Sequence, residues 1–341
     1  MDRVGIAFVG TGFIADYHLA GLNAVPRADV RMVVGRDAAK AAAVAARFGI
    51  PESNTDFAAT LERRDIHAVV IATPDDMHEE MAALAAAAGK AILLQKPMAA
   101  DSAACRRIIA AAKVAKIDLQ ISFMHRYFEE FRMAKELVAT GAIGDVTSLR
   151  IRNATPGPDW ADWFFKKSRV AGGVVLQLGV HGIDLLLQMG GAVAQVSATA
   201  AILRPERTLA DGRRVKVENP DSAWAVYSLA NGTAASHEMS MIEAKGCDRF
   251  RFEIYGTKGT IWLRSELGPL AVSRSGRPGW EMPEVPMLPF GKRQHQAWID
   301  GIVGAASPER TAQDALDGIL IAEAIGRSSV SGGARVAVEA T

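Results

Sequence analysis

Short apolar segments alternate with alanine-rich segments over the first third of this 341-residue chain. Each apolar segment is continuous, which is typical of a strand buried on both faces of a parallel sheet. The alanine-rich segments predict the helices that cover such a sheet. We therefore expect residues 1–122 to form a doubly wound α/β domain. Its predicted strands are Val4–Val9, Val30–Val34, Ile66–Ala72, Ala91–Leu94 and Ile117–Ile121.

The pattern changes after residue 122, where strand-like segments follow one another without intervening helices. This arrangement favours an antiparallel sheet, and Asn231-Gly232 between two such segments is a strong hairpin signal. We expect residues 123–341 to form an α+β domain with a large, mainly antiparallel sheet. Its closing helices, within 294–328, are candidates to pack back on the first domain. The predicted strands are Val146–Arg152, Val196–Leu203, Ala223–Ala230, Thr233–Glu238, Arg249–Tyr255 and Thr260–Leu263.

Charge and cysteine content narrow the classes of partner. The chain has 39 basic and 38 acidic residues without a long run of one sign, so we expect neither nucleic acid nor a membrane surface as a partner. Cys105 and Cys247 form no metal-binding spacing, and no metal site is predicted. Sparse cysteine and the lack of a signal-like N-terminus or a ~20-residue apolar span favour a cytoplasmic globular protein.

The first predicted strand leads into Gly10-Thr11-Gly12-Phe13-Ile14-Ala15, a G-x-G-x-x-A pattern. In dinucleotide-binding domains the first glycine permits a tight turn, the second admits a pyrophosphate, and the small third residue lets the helix pack closely. Amides at the helix start bind the phosphates. The predicted cofactor contacts here are Gly10, Thr11, Gly12, Phe13 and Ile14.

The end of the second strand bears on the choice between NAD and NADP. A carboxylate there binds the adenosine ribose of NAD, whereas an arginine accommodates the 2′-phosphate of NADP. Gly35 occupies the expected acidic position and Arg36 follows it, so NADP is favoured. In the alternative, Arg36 is solvated and Asp37 binds the ribose, which would restore NAD.

Two further strand ends are expected at the nicotinamide half of the cofactor. Ala72, Thr73 and Pro74 end the third predicted strand, and His78 is included in the cofactor site with a structural rather than a catalytic role. Gln95-Lys96-Pro97 follows the fourth. Lysine is rarely buried without a partner, and the carboxyl edge of such a sheet is where ligands bind. Lys96 is thus a candidate proton-transferring group, the alternative being a surface lysine at a strand end.

Other candidates lie beyond residue 122. Gln177 and His181 are four residues apart on a predicted helix and share its face, although a lone histidine there is usually a core residue. Arg126 and Trp163 are predicted to bind a small-molecule substrate, because arginine grips carboxylates and tryptophan stacks on sugar rings. The alternative for Trp163 is a loop packed by its own aromatic residues.

Together these segments resemble the Gfo/Idh/MocA family of NAD(P)-dependent oxidoreductases over nearly the whole chain. The resemblance rests on the glycine motif, Ala72-Thr73-Pro74, Lys96-Pro97, Gly172–Asp184 and Ile254–Gly259. It implies a Rossmann domain followed by a sheet domain, with the substrate between that sheet and the nicotinamide. It also implies a homo-dimer or homo-tetramer formed through the C-terminal sheet.

By position, the resemblance implies that Lys96 is the family's catalytic lysine and His181 its active-site histidine. The implied reaction is hydride transfer between the nicotinamide and a CH–OH carbon of a sugar, sugar acid or related hydroxy compound. His181 would donate or accept the proton while Lys96 polarises the substrate oxygen, or the two roles would be exchanged. Two other activities fit the same fold: an NAD-dependent glycoside hydrolase and a nonenzymatic dinucleotide-binding regulator.

The sequence departs from the family pattern at two positions. Gln95 replaces the glutamate of the Glu-Lys-Pro motif, and Gln177 stands where sugar and polyol dehydrogenases usually have an aspartate. A glutamine orients by hydrogen bonds but carries no charge and takes no proton. Lys96 and His181 are therefore expected to act without a neighbouring carboxylate, with Gln177 as a third residue of the catalytic set.

Overall fold

The structure, a computed structural model, describes residues 3–244, 250–265, 267–306 and 311–339. The chain forms two compact units. The first runs to Tyr127 and also takes in Leu288–Leu316, and the second comprises Phe128–Met287 and the segment from Asp317 onward. Cys247, and Arg249 at the start of one predicted strand, lie outside the described residues.

The first unit contains a six-stranded parallel sheet covered by helices. Its strands are β1 (Val4–Val9), β2 (Ala28–Val34), β3 (Glu52–Asn54), β4 (Ala68–Ile71), β5 (Ala91–Gln95) and β6 (Leu119–Ser122). Its first helices are α1 (Ala15–Asn23), α2 (Ala38–Phe48), α3 (Phe57–Glu62), α4 (His78–Ala87) and α5 (Ser102–Ala115). The strand order, β3-β2-β1-β4-β5-β6, confirms the predicted Rossmann sheet. The sequence missed β3, a polar edge strand without an apolar signature.

The second unit is built on a mixed sheet of eight strands. Its strands and the separate β9–β10 hairpin are β7 (Val146–Ala154), β8 (Val193–Ala201), β9 (Glu206–Thr208), β10 (Arg214–Lys216), β11 (Ser222–Leu229), β12 (Ala234–Ser240), β13 (Phe250–Gly256), β14 (Gly259–Ser265), β15 (Gly268–Arg274) and β16 (Val336–Ala337). The order is β15-β14-β13-β7-β12-β11-β8-β16. All described pairs in this sheet are antiparallel except β7–β12, which is parallel, so the predicted mainly antiparallel sheet is confirmed.

One face of this sheet packs on helices α6 (Glu129–Ala139) and α7 (Val180–Gly190). On β11, buried Ala225 and Tyr227 alternate with Trp224 and Val226, whose exposed fractions are 46% and 57%. This period of two separates a core face from a face that carries large exposed side chains.

Two further helices are α8 (Lys292–Ile302) and α9 (Thr311–Val330). In the first unit, Trp298 of α8 is fully buried in a core cluster with Leu19 and Leu22. In the second unit, Ile321 and Ile325 of α9 join the core beneath the sheet. No helix of the described ranges is long and apolar enough to cross a membrane.

Candidate active site

Four neighbouring strands of the first unit end at one edge of its sheet, and each is followed by a predicted site segment. Residues 10–12 follow β1, Gly35-Arg36 follows β2, residues 72–74 follow β4, and Lys96-Pro97 follows β5, whose last residue is Gln95. Adjacent strands are about 4.8 Å apart, so the segments after β1 and β5 lie roughly 10 Å from each other. The strand order reverses beside β1, which is where doubly wound sheets bind ligands.

The loop after β1 has the backbone that a pyrophosphate requires. Gly10 has φ +130°, and a Cβ there would overlap the carbonyl oxygen of Ala72. At Gly12 a Cβ would meet no described atom within 4 Å, so this backbone is open. Helix α1 starts at Ala15 without a side-chain cap from the described residues, whereas Asp101 caps α5. Uncapped N-terminal amides bind anions, so the segment fits the phosphates of a dinucleotide.

The loop after β2 places a basic side chain on the surface. A Cβ at Gly35 would come within 2.7 Å of Thr11 Cγ2, so glycine lets the two loops approach. Arg36 is exposed. The Asp37 carboxylate accepts a 3.1 Å hydrogen bond from the backbone N–H of Lys40 and caps α2. Asp37, the alternative ribose-binding residue, therefore already serves as a helix cap.

His78 connects the loops that follow β4 and β5. Its ring is fully buried, with Nδ1 2.9 Å from the Pro97 carbonyl oxygen and Nε2 3.0 Å from that of Thr73. Both ring nitrogens thus face backbone oxygens, and His78 holds the two loops together. Its inclusion among the cofactor contacts stays a prediction.

Lys96 directly follows β5 and is half-buried, and its peptide bond to Pro97 is cis. Its backbone N–H donates to Gln95 Oε1 at 2.8 Å, and Gln95 Nε2 lies 3.2 Å from His18 Nε2. His18 Nδ1 is in turn 2.9 Å from His295 Nε2. Burial lowers the pKa of His18 well below its usual range, with His295 contributing, and burial lowers the pKa of His295 to about 4. Sequence reasoning missed both histidines, which are 277 residues apart.

In the second unit, Gln177 and His181 lie on one continuous helical segment. The four-residue spacing predicts a plain α-helix, but Val175–Gly179 form a π-helical turn that leads directly into α7. Gln177 is half-buried and His181 is 5% exposed. π-helical turns are rare in proteins, and many of those that occur lie at functional sites.

Two glycines let this helical segment approach the sheet. A Cβ at Gly179 would overlap Met239 Sδ of β12, and one at Gly182 would overlap Asn153 Oδ1 of β7. His181 lies between these two contacts in the sequence. Its position is thereby fixed by the close packing of the helix on β7 and β12.

The two predicted substrate-binding residues have partners of their own. Arg126, with a side chain only 6% exposed, forms a 3.0 Å ion pair with Asp314, and its guanidinium lies 5.4 Å from the centre of the Phe123 ring. Its charge is matched by Asp314 within the first unit, and its assignment as a substrate-binding residue stays a prediction. Trp163 stacks on Phe164 at 4.1 Å between ring centres, so one face of its indole is covered.

Comparison with known proteins was made for sequence families and for individual relatives. The profile of an oxidoreductase family with an NAD-binding Rossmann fold, Gfo/Idh/MocA, matches residues 4–123. The profile of the Gfo/Idh/MocA C-terminal domain matches residues 131–262. Both profiles follow the division of the chain into a parallel and a mainly antiparallel sheet.

Several relatives are dehydrogenases. Levoglucosan dehydrogenase of Pseudarthrobacter phenanthrenivorans is 30% identical over 295 residues, 78% of this chain and 75% of that protein. Inositol 2-dehydrogenase of Rhizobium meliloti is 27% identical over 336 residues, 95% of this chain and 96% of that protein. A solved structure of levoglucosan dehydrogenase in complex with NADH and levoglucosan superposes with a TM-score of 0.90, at 25% identity over 99% of each chain.

Proposed function

The chain belongs to the Gfo/Idh/MocA family of NAD-binding oxidoreductases, and we propose that its substrate is a polyhydroxylated ring, either a pyranose or a cyclitol. The enzyme is a dehydrogenase that acts on a hydroxyl-bearing or carbonyl carbon. Relatives named for levoglucosan and for inositol support a ring with several hydroxyl groups. The glycoside hydrolase and the nonenzymatic regulator are not favoured, because these relatives are dehydrogenases.

The observation that carries the proposal is the position of Lys96. It stands at the carboxyl edge of the parallel sheet, two strands from the open backbone of Gly12. The bound nicotinamide would accept or supply the hydride. Lys96 donates a hydrogen bond to the substrate oxygen and polarises it, while His181 accepts or returns the hydroxyl proton. Exchange of these two roles is the alternative.

Gln177 contributes to this reaction as a neutral hydrogen-bonding group. Its amide can orient a substrate hydroxyl by donating or accepting a hydrogen bond, but it cannot take the proton. The proton therefore passes through His181 or Lys96. Trp163, which stacks on Phe164, is a further candidate contact for the apolar face of the substrate ring.

We propose that Gly10, Thr11, Gly12, Phe13 and Ile14 bind the pyrophosphate and that Ala72, Thr73, Pro74, Gln95 and Lys96 border the nicotinamide. Arg36 is proposed to bind the 2′-phosphate of NADP, which makes NADP the preferred form of the cofactor. The support for this preference is the exposed guanidinium of Arg36 together with the use of Asp37 as a helix cap.

Lys96→Met tests the proposed function. With the lysine removed, the rate of substrate-dependent nicotinamide reduction should fall about 10²- to 10⁴-fold, the usual contribution of a positioned proton-transferring group. Reduced cofactor should still bind, as measured by its fluorescence on the protein. A panel of cyclitols, pyranoses and sugar acids with NAD and NADP supplies the substrate.

Lys113→Met is the matched control, because Lys113 is an exposed lysine of α5 and the variant makes the same change in charge. Its turnover should equal that of the wild type. Undiminished turnover in the Lys96 variant with cofactor bound would refute the proposal. Rapid substrate conversion without net nicotinamide reduction would instead support the hydrolase alternative.

We further propose that the chain forms a homo-dimer or homo-tetramer through the outer face of the eight-stranded sheet. Support comes from Trp224 and Val226, two large apolar side chains exposed side by side on β11. Trp224→Lys should lower the mass measured in solution by light scattering. Trp160→Lys, at a tryptophan that is 55% exposed in the 155–173 loop, should not. A monomeric wild type would contradict the proposal.

A further inference from the structure

A buried chain of hydrogen bonds runs from the backbone of Lys96 to the start of α8. In order, it joins Lys96 N–H, the Gln95 side chain, His18, His295 and the carbonyl oxygen of Gly291. The donor–acceptor distances are 2.8, 3.2, 2.9 and 2.7 Å. Both imidazoles are fully buried, and all of these residues belong to the first unit.

The residue at the far end of the chain fixes the direction of every bond in it. The Gly291 carbonyl can only accept, so His295 Nδ1 must carry the hydrogen. In a neutral imidazole the other nitrogen then accepts, so His18 Nδ1 donates to His295 Nε2. His18 Nε2 is therefore an acceptor, which receives a hydrogen from the Gln95 amide. Gln95 Oε1 remains to accept from Lys96 N–H.

The surroundings favour two neutral imidazoles. Tyr17 packs against both rings, with ring centres 5.3 Å from His18 and 5.6 Å from His295, and Phe8 packs against His18. Tyr17 is the titratable neighbour among these packed rings, and its hydroxyl donates to Gln294 rather than to either histidine. Burial raises the pKa of Tyr17, which keeps this neighbour neutral as well. Lys96 carries a charge, but it joins the chain of hydrogen bonds through its backbone N–H.

A glutamate at position 95 would not fit this chain. An ionised carboxylate has no hydrogen to donate, so two acceptors would face each other across the Gln95–His18 contact. Reversing both histidines would satisfy the carboxylate but would direct the lone pair of His295 Nδ1 at the Gly291 carbonyl. A buried polar atom without a partner costs about 1–3 kcal/mol. A carboxylate would therefore require one additional proton in the chain.

We propose that Gln95 is a positioning residue for the reaction: its amide links the neutral His18–His295 pair to the backbone of Lys96 and thereby fixes the lysine. The same pair accounts for an amide at a position where the family pattern has a carboxylate. This role rests on the proposed function of Lys96, whereas the hydrogen-bond chain itself is a property of the protein without cofactor or substrate.

Gln95→Glu is the first variant to test. Near neutral pH, its turnover should fall about 10- to 100-fold, as expected when a reacting group is misplaced, while the KM for the cofactor changes little. Its midpoint of thermal unfolding should lie below that of the wild type. The difference in midpoint should shrink as the pH is lowered, because a protonated carboxyl can donate to His18 Nε2 as the amide does. A variant with wild-type turnover and midpoint at neutral pH would overturn the proposal.

The double variant Gln95→Glu, His295→Gln tests whether the loss in Gln95→Glu arises from the direction of the hydrogen bonds or from general disruption of the structure. An amide at position 295 can donate to His18 Nδ1, which lets His18 Nε2–H donate to the carboxylate. His295→Gln should therefore restore part of the turnover and unfolding midpoint lost in Gln95→Glu. If the losses of turnover and unfolding midpoint in the two single variants simply add in the double variant, the proposed direction of the hydrogen bonds would be contradicted.

Nitrogen-15 NMR of histidine-labelled protein without cofactor provides a readout that is independent of activity. His18 and His295 should both appear as the neutral Nδ1–H tautomer in the wild type. An Nε2–H tautomer at either position, or an imidazolium at neutral pH, would overturn the proposal. If the tautomers and the double variant behave as expected while Lys96→Met keeps full turnover, the proposed function fails but the hydrogen-bond chain stands.

Discussion

The proposed preference for NADP depends on a single residue, Arg36. It follows Gly35 at the end of β2 and extends into solvent, while its neighbour Asp37 is held as the cap of α2. The 2′-phosphate of NADP is a dianion that a guanidinium can bind through two hydrogen bonds. NAD has a hydroxyl at that position and gains nothing comparable from Arg36.

We expect Arg36→Ala to weaken binding of NADPH by about tenfold, a modest effect because salt and water screen an exposed ion pair. Binding of NADH should stay the same, and titrations of cofactor fluorescence would measure both. Arg27→Ala is the matched control, since Arg27 is exposed at the opposite end of β2. Equal affinity of the wild type for both cofactors, or NADPH binding that is indifferent to Arg36, would contradict this prediction.

At the scale of single residues, the sequence was informative where the local backbone conformation requires a particular residue. Gly10 could be located because a tight turn with positive φ leaves no room for a Cβ beside the Ala72 carbonyl. The ion pair of Arg126 with Asp314 was not predicted, because Asp314 comes from a remote helix. The hydrogen bond between His18 and His295 was not predicted from the sequence for the same reason. Local patterns report local requirements and do not show which distant side chain supplies a counter-charge.

At the scale of elements, the helix that carries His181 depends on small residues for its position. Gly182 is buried against Asn153 and His237, whose 2.7 Å hydrogen bond connects β7 and β12. Any side chain at 182 must displace this pair or lift the helix from the sheet. The placement of His181 thus depends on the residue directly after it.

Gly182→Ala should lower the free energy of unfolding by about 1–3 kcal/mol through overpacking. It should also lower turnover by displacing His181 while leaving dinucleotide binding by the first unit unchanged. Gly318→Ala in α9 is the control, because a Cβ there meets Ile183 and Val180 at ordinary contact distances of 3.8 and 4.0 Å. That variant should gain about 0.5–1 kcal/mol from the helix preference of alanine. Denaturant titrations measure both effects, and equal stability of the two variants would argue against close packing at 182.

The elements themselves were predictable to different degrees. Continuous apolar strands such as β1 and β5 were found because burial on both faces leaves no polar alternation. The π-helical turn at Val175–Gly179 was not, because its residues are equally suited to an α-helix. The close packing of Gly179 on β12 is a tertiary contact that a local pattern does not show either.

At the scale of the whole molecule, buried histidines make stability depend on pH. Burial lowers the pKa of His18 well below its usual range, that of His295 to about 4 and that of His237 to about 3. His237 is neutral between two partners: its Nε2–H donates to Asn153, and its Nδ1 accepts from the Tyr227 hydroxyl at 3.2 Å. Asp118 acts in the opposite sense, because burial raises its pKa to about 6.

The direction in which stability changes with pH depends on whether the folded or the unfolded state binds more protons. At about pH 5 the unfolded chain protonates all three histidines, whose unperturbed pKa is 6.5, while burial keeps them largely neutral in the folded chain. The folded chain protonates Asp118, whereas the unfolded chain does not. The unfolded state therefore binds about two more protons, three from the histidines less one from Asp118. Stability rises with pH wherever the unfolded state binds more protons, so it should fall as the pH drops from 6.5 toward 4.

The expected slope near pH 5 is roughly 3 kcal/mol per pH unit, since each proton contributes about 1.4 kcal/mol per pH unit. Denaturant unfolding followed from pH 4.5 to 6.5, roughly the interval between the folded and unfolded pKa values, measures it. His237→Gln, whose amide can hydrogen-bond to both Asn153 and Tyr227, should lower the slope by the equivalent of about one proton. Asp118→Asn should raise the slope by the equivalent of about one proton. A slope near zero in the wild type, or variants that shift it in the same direction, would show that these four groups do not govern the acid stability of the protein.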